Sequence, residues 1–248
     1  MNGFIFFTSC RHLNIMSEVK KLTYTYRFLR EGRLEKEFSV QLNAETLTYI
    51  RPENQTLPDW TLLEYEKCSN CPLNEKDSPR CPAAIALVEP IEYFKDKISF
   101  DEYDIEIVTA ERTYKKTTAM QYGASALMGL LMAVSGCPVM GRLKPMARIH
   151  LPFSSMEETL YRAISMYLFA QYFESRKGGK PDWDLKRLIE IYEGIAQVND
   201  AFMKRIKKTH IQDSGLNAIV HLDCYRRFAN HSILDTDLNQ ISRYFSAD

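Results

Sequence analysis

The sequence lacks an excess of charge of either sign. Lys plus Arg and Asp plus Glu number 32 each, so the formal net charge at pH 7 is zero. Proteins that bind nucleic acid or an anionic membrane surface by electrostatics normally carry a clear basic surplus. We therefore predict no nucleic-acid partner, and the charge balance gives no indication of a membrane partner.

The sequence also lacks the short motifs that identify common enzyme sites. It has no Gly-x-Ser-x-Gly elbow, Walker loop, dinucleotide-binding glycine fingerprint or His-Glu-x-x-His. Cys137 or Cys81 could act as a nucleophile with His150 or His221, but no motif supports such a pair. The sequence leaves enzymatic activity open and favours a protein without one.

We expect no secretory signal peptide at the start of the chain. The apolar run in MNGFIFFTSCRHLNI has neither a basic region before it nor a small-residue cleavage site after it. We expect translation to start at Met16 and residues 1–16 to form a disordered leader. The expected compartment is then the cytoplasm, where reducing conditions argue against a disulfide framework.

One uncharged stretch, residues 120–141, is long enough to cross a bilayer. Its strongly apolar part covers only about a dozen residues, 124–134, and a run of that length is typical of a buried core helix. We predict a buried helix here, and a membrane association is not expected.

Hydrophobic periodicity predicts an α+β fold. The alternation in LTYTYRFL, LEKEFSVQL and FDEYDIEIVT is typical of antiparallel strands, and TLTYI and WTLLEYEK are predicted as further strands. We assign an antiparallel sheet part with a cysteine loop to residues 17–116.

The remaining residues, 117–248, are predicted to form a helical bundle that packs on the sheet as one unit. Ser154 and Ser155, each with Glu three positions later, predict a helix start. After Asp182, apolar residues recur at helical spacing over about seven turns. A further helix is predicted for residues 215–230.

Three of the six cysteines lie within KCSNCPLNEKDSPRCPAA. Cys68-x2-Cys71 is typical of a tight turn that points two thiolates at one ion. Cys81 precedes Pro82, which suits the first position of a helix. A thiolate at the helix N-cap would have a lowered pKa, and this helps metal binding.

A fourth metal ligand is best supplied by Cys137, in SGCP, where Gly136 is expected to end the apolar helix. His150 is the reserve ligand, because sites of three cysteines and one histidine are common for zinc. The spacing favours zinc. An iron–sulfur cluster remains the alternative cofactor, and buried or redox-active cysteines without metal also remain open.

Two basic stretches of the sequence are candidate binding surfaces. Arg142, Lys144 and Arg148, beside His150 in GRLKPMARIH, could form an anion-binding rim. A solvated connection near a helix C-terminus explains the same residues and is favoured. KRIKKTH, residues 204–210, is predicted to be solvated surface at the end of a long helix.

Several blocks of the chain resemble an uncharacterised bacterial family, a domain of unknown function. They are CSNCPL, CPAA, QYGASALMGLLMAVSGCP, LKPMARIHLPF and YLFAQYF, and the resemblance covers most of residues 20–230. It implies a bacterial source, and it implies neither an activity nor a role for any residue.

These observations together predict a soluble bacterial metal-binding protein, with zinc held by thiolates. We expect it to act as a signalling or interaction component with another protein as its partner. The alternative is an enzyme or redox protein that uses an iron–sulfur cluster, or an anion-binding site beside the metal.

Overall fold

The computed structural model describes residues 20–209 and Phe245. The predicted leader at residues 1–16 lies outside the described residues. So do the predicted helix at 215–230 and the candidate residue His221.

A four-stranded antiparallel sheet forms the first layer of the fold. Its strands are β1 (Lys21–Arg30), β2 (Arg33–Asn43), β3 (Glu102–Val108) and β4 (Thr113–Ala119), in the order β2-β1-β3-β4. Glu31 and Gly32 join β1 to β2 with φ of 50° and 74°. Two successive positive φ angles suit a tight hairpin turn, because they match the twist of the flanking strands.

One face of the sheet carries the apolar core. Alternate residues of β1, β2 and β3 are buried, as the period of two in these segments predicts. They are Tyr24, Tyr26, Phe28, Phe38, Val40, Leu42, Tyr103, Ile105 and Ile107.

Helices cover this face. They are α1 (Pro82–Ala86), α2 (Val88–Phe94), α3 (Met120–Val134), α4 (Lys144–Arg148), α5 (Met156–Arg176) and α6 (Lys186–Lys208). Residues from the sheet and from α3, α5 and α6 belong to the same apolar cluster. Within residues 20–209, no helix has the length and apolar character needed to cross a membrane.

Helix α3 approaches the sheet closely because Gly123 has no side chain. A Cβ atom at this position would lie 2.7 Å from Ile105 Cδ1 and 2.9 Å from Phe28 Cε1. The apolar stretch at 124–134 is therefore a core helix, with Ala124, Leu127, Met128 and Leu131 buried against the rest of the protein.

The predicted helix boundaries are explained by local chemistry. Ser155 caps α5 by accepting a hydrogen bond from Glu158 N, while Ser155 N donates to Glu158 Oε2. Gly136, with φ of 96°, follows the end of α3. Asp182 precedes α6 by four residues, and its Oδ2 still accepts a hydrogen bond from Arg187 N.

The prediction of an α+β fold is confirmed, although individual elements differ. WTLLEYEK is not a strand; it contains two 3-10 turns, Asp59–Thr61 and Leu63–Tyr65. TLTYI contributes one isolated bridge, from Tyr49 to Leu42. The edge strand β4 was not predicted, because its sequence TYKKTTA has no buried face. The division of the chain at residue 116 stays a prediction.

Arg205 holds the segment before the cysteines against α6. It is 1% exposed, and its guanidinium donates hydrogen bonds to the carbonyl oxygens of Trp60, Leu62, Leu63 and Glu66. The prediction of a fully solvated KRIKKTH is therefore wrong for Arg205. Its neighbours Lys204 and Lys207 are exposed, and His210 lies outside the described residues.

Candidate functional site

The four predicted cysteines line one small pocket. The segment 68–71 turns tightly, with Cys71 N donating to Cys68 O at 3.0 Å. Cys81 is the N-cap of α1, followed by Pro82 in the first turn. Cys137 comes two residues beyond the C-cap of α3. The pocket has a volume of about 10 Å³, and Val139, Val198, Phe202 and Arg205 close it beside the thiols.

Burial keeps two of these thiols protonated. It raises the pKa of Cys68 to about 12, with smaller contributions from the nearby Cys81, Cys137 and Cys71. Burial also raises the pKa of Cys137, against hydrogen bonds from the backbone of Met140 and Val139. The N-terminus of α1, at Cys81, does not offset the effect of burial on the pKa of Cys68 and Cys137.

The prediction of a metal centre is wrong. Within the described part of the chain, no group of three or more His, Cys, Asp or Glu side chains could hold a metal ion. Zinc and iron–sulfur clusters require thiolates, and burial raises the pKa of Cys68 and Cys137 and so opposes their ionisation. The reserve ligand His150 is not among the residues that line the cysteine pocket. Zinc, the iron–sulfur alternative and the metal-binding function are all withdrawn.

The raised pKa of Cys68 predicts slow alkylation. At pH 8 about one in ten thousand of its thiols is ionised, against roughly a quarter of those with an ordinary pKa. Iodoacetamide should therefore label Cys68 at least a hundredfold more slowly in the folded protein than in the unfolded one. The rate should rise about tenfold per pH unit between pH 8 and 10, since the reactive thiolate increases with pH.

Peptide mapping by mass spectrometry measures this labelling at each cysteine. Protein unfolded in urea serves as the control. Equal labelling of Cys68 in the folded and unfolded protein at pH 8 would contradict the burial of this thiol.

The three cations of the predicted anion-binding rim have different surroundings. Arg142 lines an open groove with Arg187 and Glu190. Lys144 Nζ donates to Thr46 O and Thr48 Oγ1, both at 3.3 Å, and Arg148 is exposed. Anion binding by these residues stays a prediction.

A larger apolar cavity lies between the helices. It has a volume of about 180 Å³, is partly open to solvent, and is lined by residues of α3, α5, α6 and the connection from Met140 to Ser154. Small residues of α3 make room for it, because Ala126, Gly129 and Ala133 follow one another at helical spacing on the side facing the cavity. Most of the other lining side chains are apolar; they include Leu130, Met140, Leu143, Met146, Leu151, Phe153 and Ile195.

His150 lines this cavity and is paired with the sheet. Its Nε2 lies 2.5 Å from the hydroxyl of Tyr26, a fully buried residue. Burial raises the pKa of Tyr26 well above its usual range. Burial, with a smaller effect from the charge of Arg162, lowers the pKa of His150 to about 3. Both groups are therefore neutral at neutral pH.

The pairing determines which ring nitrogen of His150 carries the proton. Among the described residues, the Tyr26 hydroxyl has no hydrogen-bond partner other than His150. The hydroxyl donates to Nε2, because the opposite direction would leave a buried O–H without an acceptor. The proton of His150 then resides on Nδ1, which is available as a donor.

Asn199 is a further polar residue of the cavity lining, which also includes Ser125, Thr159 and Arg162. Asn199 is 2% exposed, and its Oδ1 is buried without a hydrogen-bond partner among residues 20–209. Such an acceptor costs about 1–3 kcal/mol. The sequence indicates this polar position, because Asn199 stands among the apolar residues that form the buried face of α6. Tyr26 carried no comparable signal, because its position fits an ordinary core strand.

Comparison with known proteins places the chain in a family. Residues 22–246 match the model of a domain of unknown function, DUF6901. The match covers most of the chain, so the protein belongs to this family. No curated protein and no solved structure matches the chain.

Proposed function

We propose that this DUF6901 protein binds a small, mainly apolar molecule in the cavity between α3, α5 and α6. The observation that carries the proposal is a cavity of about 180 Å³ with a mainly apolar lining that includes Asn199, whose Oδ1 has no hydrogen-bond partner among the described residues. Cavities of roughly 150 Å³ with apolar walls accept molecules the size of benzene. Binding sites of this type combine apolar walls with a few polar groups that orient the ligand.

The polar groups of the cavity lining indicate which functional group the ligand carries. Asn199 Oδ1 needs a donor, and His150 Nδ1–H can supply one to an acceptor. A hydroxyl or an amide of the ligand has the donor that the first requires and the acceptor that suits the second. Binding is favoured over acid–base catalysis, because a histidine with a pKa of about 3 is a poor proton acceptor at neutral pH.

Two probes of nearly equal shape test the proposal: benzyl alcohol and ethylbenzene, which differ in a hydroxyl against a methyl group. Isothermal titration calorimetry should detect binding of both to the wild-type protein. In Asn199→Leu, the affinity for benzyl alcohol should fall about tenfold, because the hydroxyl loses its acceptor. The affinity for ethylbenzene should be retained.

A matched control is Gln197→Leu, which removes an amide from the exposed side of the same helix. It should leave both affinities unchanged. Ala126→Leu should weaken both probes by filling part of the cavity. The proposal fails if neither probe binds the wild-type protein, or if Asn199→Leu changes the two affinities equally.

We also propose that the protein works in the cytoplasm. The cysteines at positions 68, 71, 81 and 137 are free although they line one pocket. A reducing compartment favours such a set of thiols over disulfides.

A further inference from the structure

Helix α5 carries a stripe of exposed aromatic residues. Tyr161, Phe169, Tyr172 and Phe173 are between 46% and 64% exposed. The rings of Phe169 and Phe173 lie 6.2 Å apart, and those of Tyr172 and Phe173 lie 5.5 Å apart. The residues that α5 buries, Leu160, Ala163, Tyr167 and Gln171, lie on its opposite side. The aromatic stripe is therefore separate from the face that holds α5 in the fold.

Oppositely charged residues lie at the two ends of the aromatic stripe. Glu158, Tyr161, Ser165, Phe169, Tyr172 and Arg176 recur at intervals of three or four residues, so they share one face of the helix. Glu158 lies in the first turn and Arg176 in the last, about 27 Å apart along the axis. Both residues are exposed.

This arrangement is complementary to itself. When two copies of α5 pack antiparallel, with the twofold axis level with residue 167, Glu158 of each copy lies beside Arg176 of the other. Ser165 then lies opposite Phe169, while Tyr161 and Phe173 lie on the two opposite flanks of the contact. The small Ser165 leaves space for the ring of Phe169. A parallel pairing would instead place like charges together at both ends.

We propose that the protein forms a homodimer through antiparallel packing of α5 against α5. The interface is isologous, which is the usual form of a two-subunit contact. An aromatic side chain covers about 150–250 Å² when fully buried. Four half-exposed rings per subunit therefore bury roughly 800 Å² in total, which is below the roughly 1,200–2,000 Å² of stable specific interfaces and typical of weak, transient contacts. The dimer is accordingly weak and reversible.

Analytical ultracentrifugation of the full chain tests the proposal. Between about 1 and 500 µM the wild-type protein should change from monomer to dimer. Phe169→Lys, at the centre of the stripe, should raise the dissociation constant at least tenfold. Phe100→Lys is the matched control, because Phe100 is 70% exposed and lies outside α5. It should not change the association.

A mixture of two variants tests the antiparallel register. Glu158→Lys and Arg176→Glu should each weaken self-association, because each variant places like charges side by side in its own dimer. Mixed in equal amounts they should form a heterodimer, because residue 158 of each chain then lies beside an opposite charge at residue 176 of the other. A wild-type monomer at 500 µM, a dimer that Phe169→Lys leaves intact, or a mixture that shows no heterodimer would each overturn the proposal.

Discussion

Replacing Arg205 by methionine should lower the free energy of unfolding by about 3–5 kcal/mol. The side chain is 1% exposed and donates hydrogen bonds to four backbone carbonyls between Trp60 and Glu66. Methionine fills much of the same volume but donates no hydrogen bond, so all four carbonyls lose the guanidinium as a donor. For a chain of this size the melting temperature should fall by roughly 10 °C.

Thermal unfolding followed by circular dichroism measures this change. Lys204→Met is the matched control on the same helix, since Lys204 is exposed, and it should leave the melting temperature within about 2 °C. Arg205→Lys should lose most of the stability that these hydrogen bonds provide, because one ammonium group cannot reach four carbonyls in the way that a planar guanidinium does. A melting temperature of Arg205→Met equal to that of the control would show that this contact does not hold the segment.

Replacing Gly123 by valine should cost about 2–4 kcal/mol of stability. The added Cβ would lie 2.7 Å from Ile105 Cδ1 and 2.9 Å from Phe28 Cε1, where no side chain can fit unless α3 or the sheet moves. Valine adds two further methyl groups to this contact. Gly123→Ala should cost less, because alanine regains about 1 kcal/mol of helix propensity.

Urea unfolding of the variants provides the measurement. Gly141→Ala is the control, since a Cβ there meets no atom within 4 Å. Ile105→Val removes the atom nearest to the new Cβ, so it should be less destabilising in the Gly123→Ala background than in the wild type. Additive effects of Gly123→Ala and Ile105→Val would argue against a direct clash.

Much of the fold was predictable because local chemistry and tertiary structure agree. The alternation in β1, β2 and β3 matches their buried faces. The reciprocal bonds of Ser155 and Glu158 begin α5, and Gly136 ends α3 in a conformation that suits glycine. Each of these signals depends on residues close together in the sequence.

The candidate sites could not be predicted in the same way, since they depend on contacts distant in sequence. Arg205 looks like one more cation in a basic helix end, and only the carbonyls some 140 positions earlier explain its burial. Spacing alone suggested that the clustered cysteines are thiolates. Burial, which spacing does not reveal, instead raises the pKa of Cys68. The partner of His150 is Tyr26, 124 positions away.

Methyl NMR of the methionines tests the binding cavity most directly. Met140 and Met146 line the cavity, whereas Met120 and Met128 are fully buried elsewhere in the core. When benzyl alcohol is titrated into the protein, the methyl signals of Met140 and Met146 should shift and saturate together, while those of Met120 and Met128 stay close to their starting positions. If the signals of Met140 and Met146 do not move up to the solubility limit of the probe, or if only Met120 and Met128 respond, the cavity is not the binding site.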